Sequence, residues 1–203
     1  REVMMKKVNN ILIILTILSA YVFMFVDGYY GIDRILLCLV LIPVLLVPKI
    51  AKKLFKIKIS DGLELVYIVF IILTLLFGSI MGSFSLIHWY DSFTHFLSGM
   101  FTFVMGIFFL VWFKEHSDKK ILFSCLFAMM FTFMIAVLWE CVEFTIDNVM
   151  GTDTQKVLTT GVHDTMKDMI CAILGSILVM ISYIWAYIAK GDNFWKRMVK
   201  SAK

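Results

Sequence analysis

Trp139-Glu140-Cys141-Val142-Glu143-Phe144 stands near the end of an apolar run that begins at about residue 120. As a helix rising about 1.5 Å per residue, that run is long enough to cross roughly 30 Å of hydrocarbon. Helical spacing then puts Glu140 and Glu143, at i and i+3, on one face. A charged group at the centre of a spanning helix costs about 2.5–3.5 kcal/mol, so it turns to a cavity or a partner rather than to lipid. Two other apolar segments carry matching pairs at i and i+4, Asp91 with His95 and Asp164 with Asp168. Unrelieved, the six groups would cost about 15–20 kcal/mol, against a usual folding stability of about 5–15 kcal/mol. One shared, inward-facing site is the expectation.

The rest of the composition agrees with a membrane protein. Of 203 residues 61% are hydrophobic and 17% charged, where a soluble domain has about 45–50% and about 25%. Six apolar stretches can span a bilayer, at roughly 8–26, 33–50, 62–82, 91–113, 120–146 and 164–189. The reading is an all-α, polytopic bundle of six transmembrane helices, one membrane-embedded domain over residues 1–203. Pro43 and Pro48 predict a kink or an early end in the second span. Met5-Lys6-Lys7 has the pattern of a natural start. The apolar run after it ends at Phe23–Asp27 without a small-x-small cleavage pattern, so it is read as a retained span. Cys38, Cys125, Cys141 and Cys171 lie inside apolar runs with no C-x-x-C pair, which argues for packing residues rather than disulfides or a zinc knuckle.

Lysine and arginine set the orientation. Sixteen of the 19 fall at the N-terminus, in the 49–58 and 114–120 loops, or in the tail from Lys190; the alternate loops hold Arg34, Lys156 and Lys167. Both termini are therefore predicted to be cytoplasmic, in a multi-pass protein of a bacterial cytoplasmic membrane. The net charge of +4 belongs to these helix ends and speaks for membrane lipid and against nucleic acid as partner. The Lys49–Lys58 loop and the basic tail should meet anionic lipid, at about 1 kcal/mol per basic residue. Trp89, Tyr90 and Trp139 read as an outer aromatic belt, and Trp185, Tyr187 and Trp195 as an inner one. Arg34 is expected to pair with Asp33. Gly78 and Gly82 make a weak small-x-x-x-small match, whereas Cys171, Ala172, Gly175 and Ser176 would let the sixth span pack closely on a neighbour.

In this orientation all three polar pairs reach the same depth on the outer side. Asp91, His95, Ser98 and Thr102 form a polar stripe on the fourth span; Glu140, Glu143 and Asp147 share a face on the fifth, and Asp164 and Asp168 on the sixth. Three uses are open. Carboxylates with one imidazole suit Zn, Mg, Mn or Fe, with His95, Glu140, Glu143 and Asp168 as ligands and Asp91 or Asp164 as general base. That chemistry would serve a hydrolase or transferase acting on a lipid or envelope precursor. The same carboxylates could pass protons or bind a cation or amphiphile in a small transporter. In the plainest reading they are structural, with Asp91 and Asp164 as helix caps. Asp147 and Asp153 read as loop acids, and His88 and His163 as rim residues.

The segments Asp91-Ser92-Phe93-Thr94-His95-Phe96-Leu97-Ser98-Gly99, Trp139–Phe144 and His163-Asp164-Thr165-Met166-Lys167-Asp168-Met169, followed by Gly175, resemble the YjdF-like family of bacterial inner-membrane proteins. That family shows D-x-x-x-H-F-x-x-G, then E-x-x-E, then W-D-x-x-x-D-M with a later glycine. The resemblance covers about the C-terminal half; His163 stands in place of the tryptophan, and Thr159-Thr160-Gly161 in place of a Gln-Gly-Asp. It implies one site built from Asp91, His95, Glu140, Glu143, Asp164 and Asp168, and it implies no reaction. The last motif is also similar, more loosely, to VanZ-like proteins linked to glycopeptide resistance. The orientation has a direct check: a cysteine introduced as Asp153→Cys should react with an impermeant thiol reagent from outside the cell, and labelling only from the cytoplasm would reverse the topology.

Overall fold

A computed structural model describes residues 2–28, 30–189 and 191–202. Arg1, Lys190 and Lys203, three of the basic residues counted above, lie outside the described residues. The described residues are helical, with no strand. The helices are α1 (Glu2–Asp27), α2 (Ile32–Phe55), α3 (Asp61–Ile71, continued by a π-helical stretch Ile72–Ile80), α4 (Ser83–Leu86), α5 (Tyr90–Trp112), α6 (Ile121–Met150), α7 (Val157–Thr160), α8 (His163–Ile188) and α9 (Phe194–Ala202). Six helical segments, α1, α2, Asp61–Ile80, α5, α6 and α8, are long and apolar enough to cross a membrane. The spans read from hydropathy match these closely, because a bilayer demands about 20 apolar residues wherever a helix crosses it. The chain divides into two compact units, one ending at Tyr90 and the other running from Asp91 to Ser201.

In the first unit α1, α2 and α3 with its π-helical continuation enclose Ile13, Ala20, Leu41, Leu45, Ile68 and Ile80. α2 does not end early at its prolines but runs through both to Phe55. Pro48 has no N–H to give the carbonyl one turn back, that of Val44. The Tyr67 hydroxyl donates to that carbonyl instead, at 2.6 Å, so Val44 keeps a partner for its acceptor. Similarly, the Tyr90 hydroxyl donates to Leu73 O at 2.6 Å inside the π-helical stretch. Gly78 packs under the Phe84 ring, whose Cε2 is 2.4 Å from where a Cβ would stand, and Gly82 turns the chain at φ +78°.

Charged groups of this unit pair locally. Arg34 binds Asp27 across the α1–α2 turn and lies over the Phe23 ring. Lys52 reaches Glu64, which is buried, and Asp61; Lys49 donates to Asn10 at 2.6 Å. Two of the five loop lysines expected on lipid are thus used inside the fold.

In the second unit α5 is in backbone contact with both α6 and α8. A Cβ on Gly99 would stand 1.8 Å from the carbonyl oxygen of Ala172, and one on Gly175 only 2.0 Å from that of Phe96. The predicted small-residue face of α8 does what was expected of it. Gly106 lies against Ala128 of α6 in the same way, and the buried hydroxyls of Thr102 and Thr132 bond across that seam at 3.2 Å. At the other end of the unit His116 Nε2 meets the Tyr183 hydroxyl at 2.9 Å and the Tyr187 hydroxyl at 3.3 Å. Trp195 does not serve as a belt residue. α9 carries it inward, where its indole donates to Ser182 at 3.2 Å and packs edge-on against Tyr183.

In an isolated helix, Gly99→Ala would gain about 1 kcal/mol of propensity. Here the added methyl meets backbone, so overpacking should cost about 1–3 kcal/mol. Thermal unfolding in detergent should show Gly99→Ala and Gly175→Ala each melting below the parent; a raised midpoint would refute the backbone contact.

Candidate functional site

The N-termini of α5 and α8 and the C-terminal part of α6 lie at one end of the second unit, because the three helices alternate in direction. The glycine contacts hold α5 and α8 so close that side chains one to two turns before them must face each other. His95 Nε2 lies 3.6 Å from Asp91 Oδ1 and 3.9 Å from Asp168 Oδ2. One ligand-type atom from each of Asp91, His95 and Asp168 falls within 4.8 Å of the other two. Asp168 is only 2% exposed, and its Oδ1 has no hydrogen-bond partner.

The second aspartate of the α8 pair, Asp164, is also buried but fully engaged. Lys156 donates to it at 2.9 Å and Lys167, one turn along α8, at 2.6 Å. Lys156 also donates to Asp91, so one ammonium joins the first turns of α5 and α8. Partial burial works against the charge of Lys156, but its bonds to Asp91 and Asp164 outweigh that and raise its pKa above the usual lysine range. Neither aspartate is a helix cap. Both sit in a first turn, where the helix macrodipole favours a carboxylate, and both spend their oxygens on side chains.

The two glutamates of α6 have separate environments. Glu140 is buried; the Gln155 side-chain amide donates to its Oε2 at 3.1 Å and to its backbone carbonyl at 3.2 Å, while Oε1 has no partner. Glu143 is half-buried and accepts from the indole N–H of Trp139 at 2.8 Å, four residues back on the same helix. Of the four predicted ligands, His95 and Asp168 are brought together; Glu140 and Glu143 are outside that group, and Asp91, predicted as a base, is inside it.

Lys156, Gln155, Lys167 and Asp147 were not predicted as parts of the site. The Asp147 carboxylate accepts from the Thr152 hydroxyl at 2.7 Å, from the Thr154 hydroxyl and backbone N–H at 2.8 and 2.7 Å, and from the Gln155 N–H at 3.0 Å. It is a latch that fixes the start of the α6–α8 loop and so aims Gln155 and Lys156. One signal was in the sequence. Lys156 and Lys167 stand in sequence close to Asp147, Asp153, Asp164 and Asp168, and a cation so placed is seldom idle.

Six spanning helices and a buried group of carboxylates around one imidazole define a polytopic helical membrane protein. The chain belongs to the family described as Predicted membrane protein (DUF2238), whose model matches residues 9–189 and so takes in nearly all of the six spans. No curated protein and no solved structure matches it.

Removing the latch isolates its role. Asp147→Ala takes away four hydrogen bonds worth about 0.5–1.5 kcal/mol each, so the amides of Thr154 and Gln155 should exchange with solvent at least about tenfold faster. Unchanged protection there would mean that the loop is held by something else.

Proposed function

We propose that this chain binds a divalent cation through Asp91, His95 and Asp168 and uses it for hydrolysis or group transfer on a lipid-like substrate. The observation that carries this is the Asp91–His95–Asp168 group with its one buried, partnerless carboxylate oxygen on Asp168. Ligand atoms sharing an ion at about 2.0–2.2 Å lie up to about 4.4 Å apart, so a contraction of a few tenths of an ångström seats one. The group count supports the same reading: the carboxyl groups of Asp91, Asp164, Asp168 and Glu140 outnumber the ammonium groups of Lys156 and Lys167 beside them. With one imidazole among carboxylates, Zn, Mn or Fe suits the donor set better than Mg.

A metal held by Asp91, His95 and Asp168 would make bound water acidic and would polarise a phosphoryl or acyl oxygen. Attack of that water on phosphorus or carbon would break the bond to the leaving oxygen, and the water proton would pass to a nearby carboxylate and from it to the departing group. Asp164, with a lysine on each oxygen, is poorly suited to accept it. Glu140, with a bare Oε1, is the better base, in place of the Asp91 or Asp164 expected from sequence. A substrate with acyl or prenyl chains can keep them in hydrocarbon while its headgroup reaches this end of the helices. The YjdF-like motifs and the lysine distribution support a bacterial cytoplasmic membrane with the site on the outer side. A cation or amphiphile carrier without catalysis is the second reading; the Lys156 ammonium held between Asp91 and Asp164 is the observation that favours it.

Elemental analysis of protein purified without chelator tests the metal. The parent should carry close to one equivalent of a transition metal, and Asp168→Asn and His95→Ala should lose at least about nine-tenths of it. Asp192→Asn, past the C-terminal end of α8, serves as the control. A metal-free parent whose melting temperature ignores both chelator and added metal would sink the metalloenzyme.

A further inference from the structure

Lys156 puts a positive charge among carboxylates that, on the reading above, hold a metal. Its Nζ donates to Asp91, one of the three proposed ligands, and at 2.9 Å to Asp164. Lys156 sits on Asp91 Oδ2 while Oδ1 faces His95, so the ammonium draws charge from the carboxylate and repels a divalent ion placed at that second oxygen. The surrounding loop is built to hold the ammonium there. Asp147 fixes Thr152, Thr154 and Gln155, and Gln155 is tied to Glu140. The Lys156 backbone lies at φ 53°, a left-handed conformation that side chains other than those of Gly, Asn and Asp seldom adopt. The lysine side chain keeps 37% of its surface exposed, so it can withdraw into solvent without passing through packed protein. Asp168 Oδ1, buried and without a partner, is a ligand position that the ammonium does not satisfy.

We propose that Lys156 is a tethered counter-cation and the loop over residues 151–162 its lid: the ammonium competes with the divalent ion for Asp91, and the lid must let go before the metal is held tightly. This rests on the metal reading of the Asp91–His95–Asp168 group. The lid has a closed state, seen here with Lys156 on both aspartates, and an open state in which Asp91 turns to the metal. Asp164 keeps Lys167 in either state, so withdrawal of Lys156 does not leave a buried carboxylate unpaired. Metal loading and loop opening are therefore one equilibrium, and whatever loosens the loop tightens the metal.

Titration calorimetry of Mn²⁺ into the full chain in detergent tests this with three proteins: the parent, Lys156→Met, and Asp147→Asn, which weakens the latch without touching the cluster. Lys156→Met should bind Mn²⁺ about tenfold tighter than the parent, and Asp147→Asn several-fold tighter. Hydrogen exchange of residues 152–158 in the parent should speed up when Mn²⁺ is added. If the parent binds Mn²⁺ and neither variant binds it more tightly, the lid is wrong and the metal site stands. If none of the three binds Mn²⁺, zinc or iron, the metal site and the lid fall together. Should Lys156→Met not fold, Asp147→Asn and the exchange measurement still decide.

Discussion

The second unit depends on two reciprocal contacts between backbones. Gly99 of α5 lies on the Ala172 carbonyl of α8, and Gly175 of α8 lies on the Phe96 carbonyl of α5. Inside a membrane no hydrophobic force draws helices together, so close van der Waals approach through small residues has to supply much of their association. Two glycines, one from each partner, also fix how the helices are rotated and shifted. Once that register is set, Asp91 and His95 have no choice but to face Asp164 and Asp168. The polar site is a consequence of an apolar contact about one to three turns further along.

Charge completes what packing begins. Carboxylates at the end of a spanning segment need partners, and the chain provides them from a loop rather than from another span. The α6–α8 connection is short, and it is ordered by the Asp147 carboxylate, which gathers one backbone turn around itself. That local arrangement delivers one amide to Glu140 and one ammonium to the pair Asp91 and Asp164. Two kinds of aspartate result on a single helix: Asp164 saturated by lysines, and Asp168 with an oxygen left over. Neighbours set this difference, since the residues are identical.

Much of this was legible in the sequence, for reasons that can be named. Spans were legible because the bilayer imposes one length and one chemistry on every crossing. Convergence of Asp91, His95 and Asp168 was legible because alternating helices return to the same side, and helical periodicity puts each pair on one face. Which carboxylates touch was not. Glu140 and Glu143 look equivalent at i and i+3, yet Gln155 takes one and Trp139 the other, a choice made by a loop conformation and a rotamer. Trp195 looks like a belt residue because it follows the last span closely, and its tertiary packing against Tyr183 leaves no mark in hydropathy. The C-terminal motifs lie inside a family match over residues 9–189, which also takes in the first three spans, where no site residue is read from the sequence.

Pro48 bears on how the first unit is made. Until α3 is beside α2, the Val44 carbonyl has neither a helical N–H nor the Tyr67 hydroxyl, and in hydrocarbon an unmet carbonyl costs several kcal/mol. The second span is therefore incomplete as a lone membrane helix. It becomes comfortable only with the segment synthesised directly after it, so α2 and α3 are best inserted as a hairpin. A proline commonly regarded as a helix breaker here ties the order of biogenesis to the order of the chain.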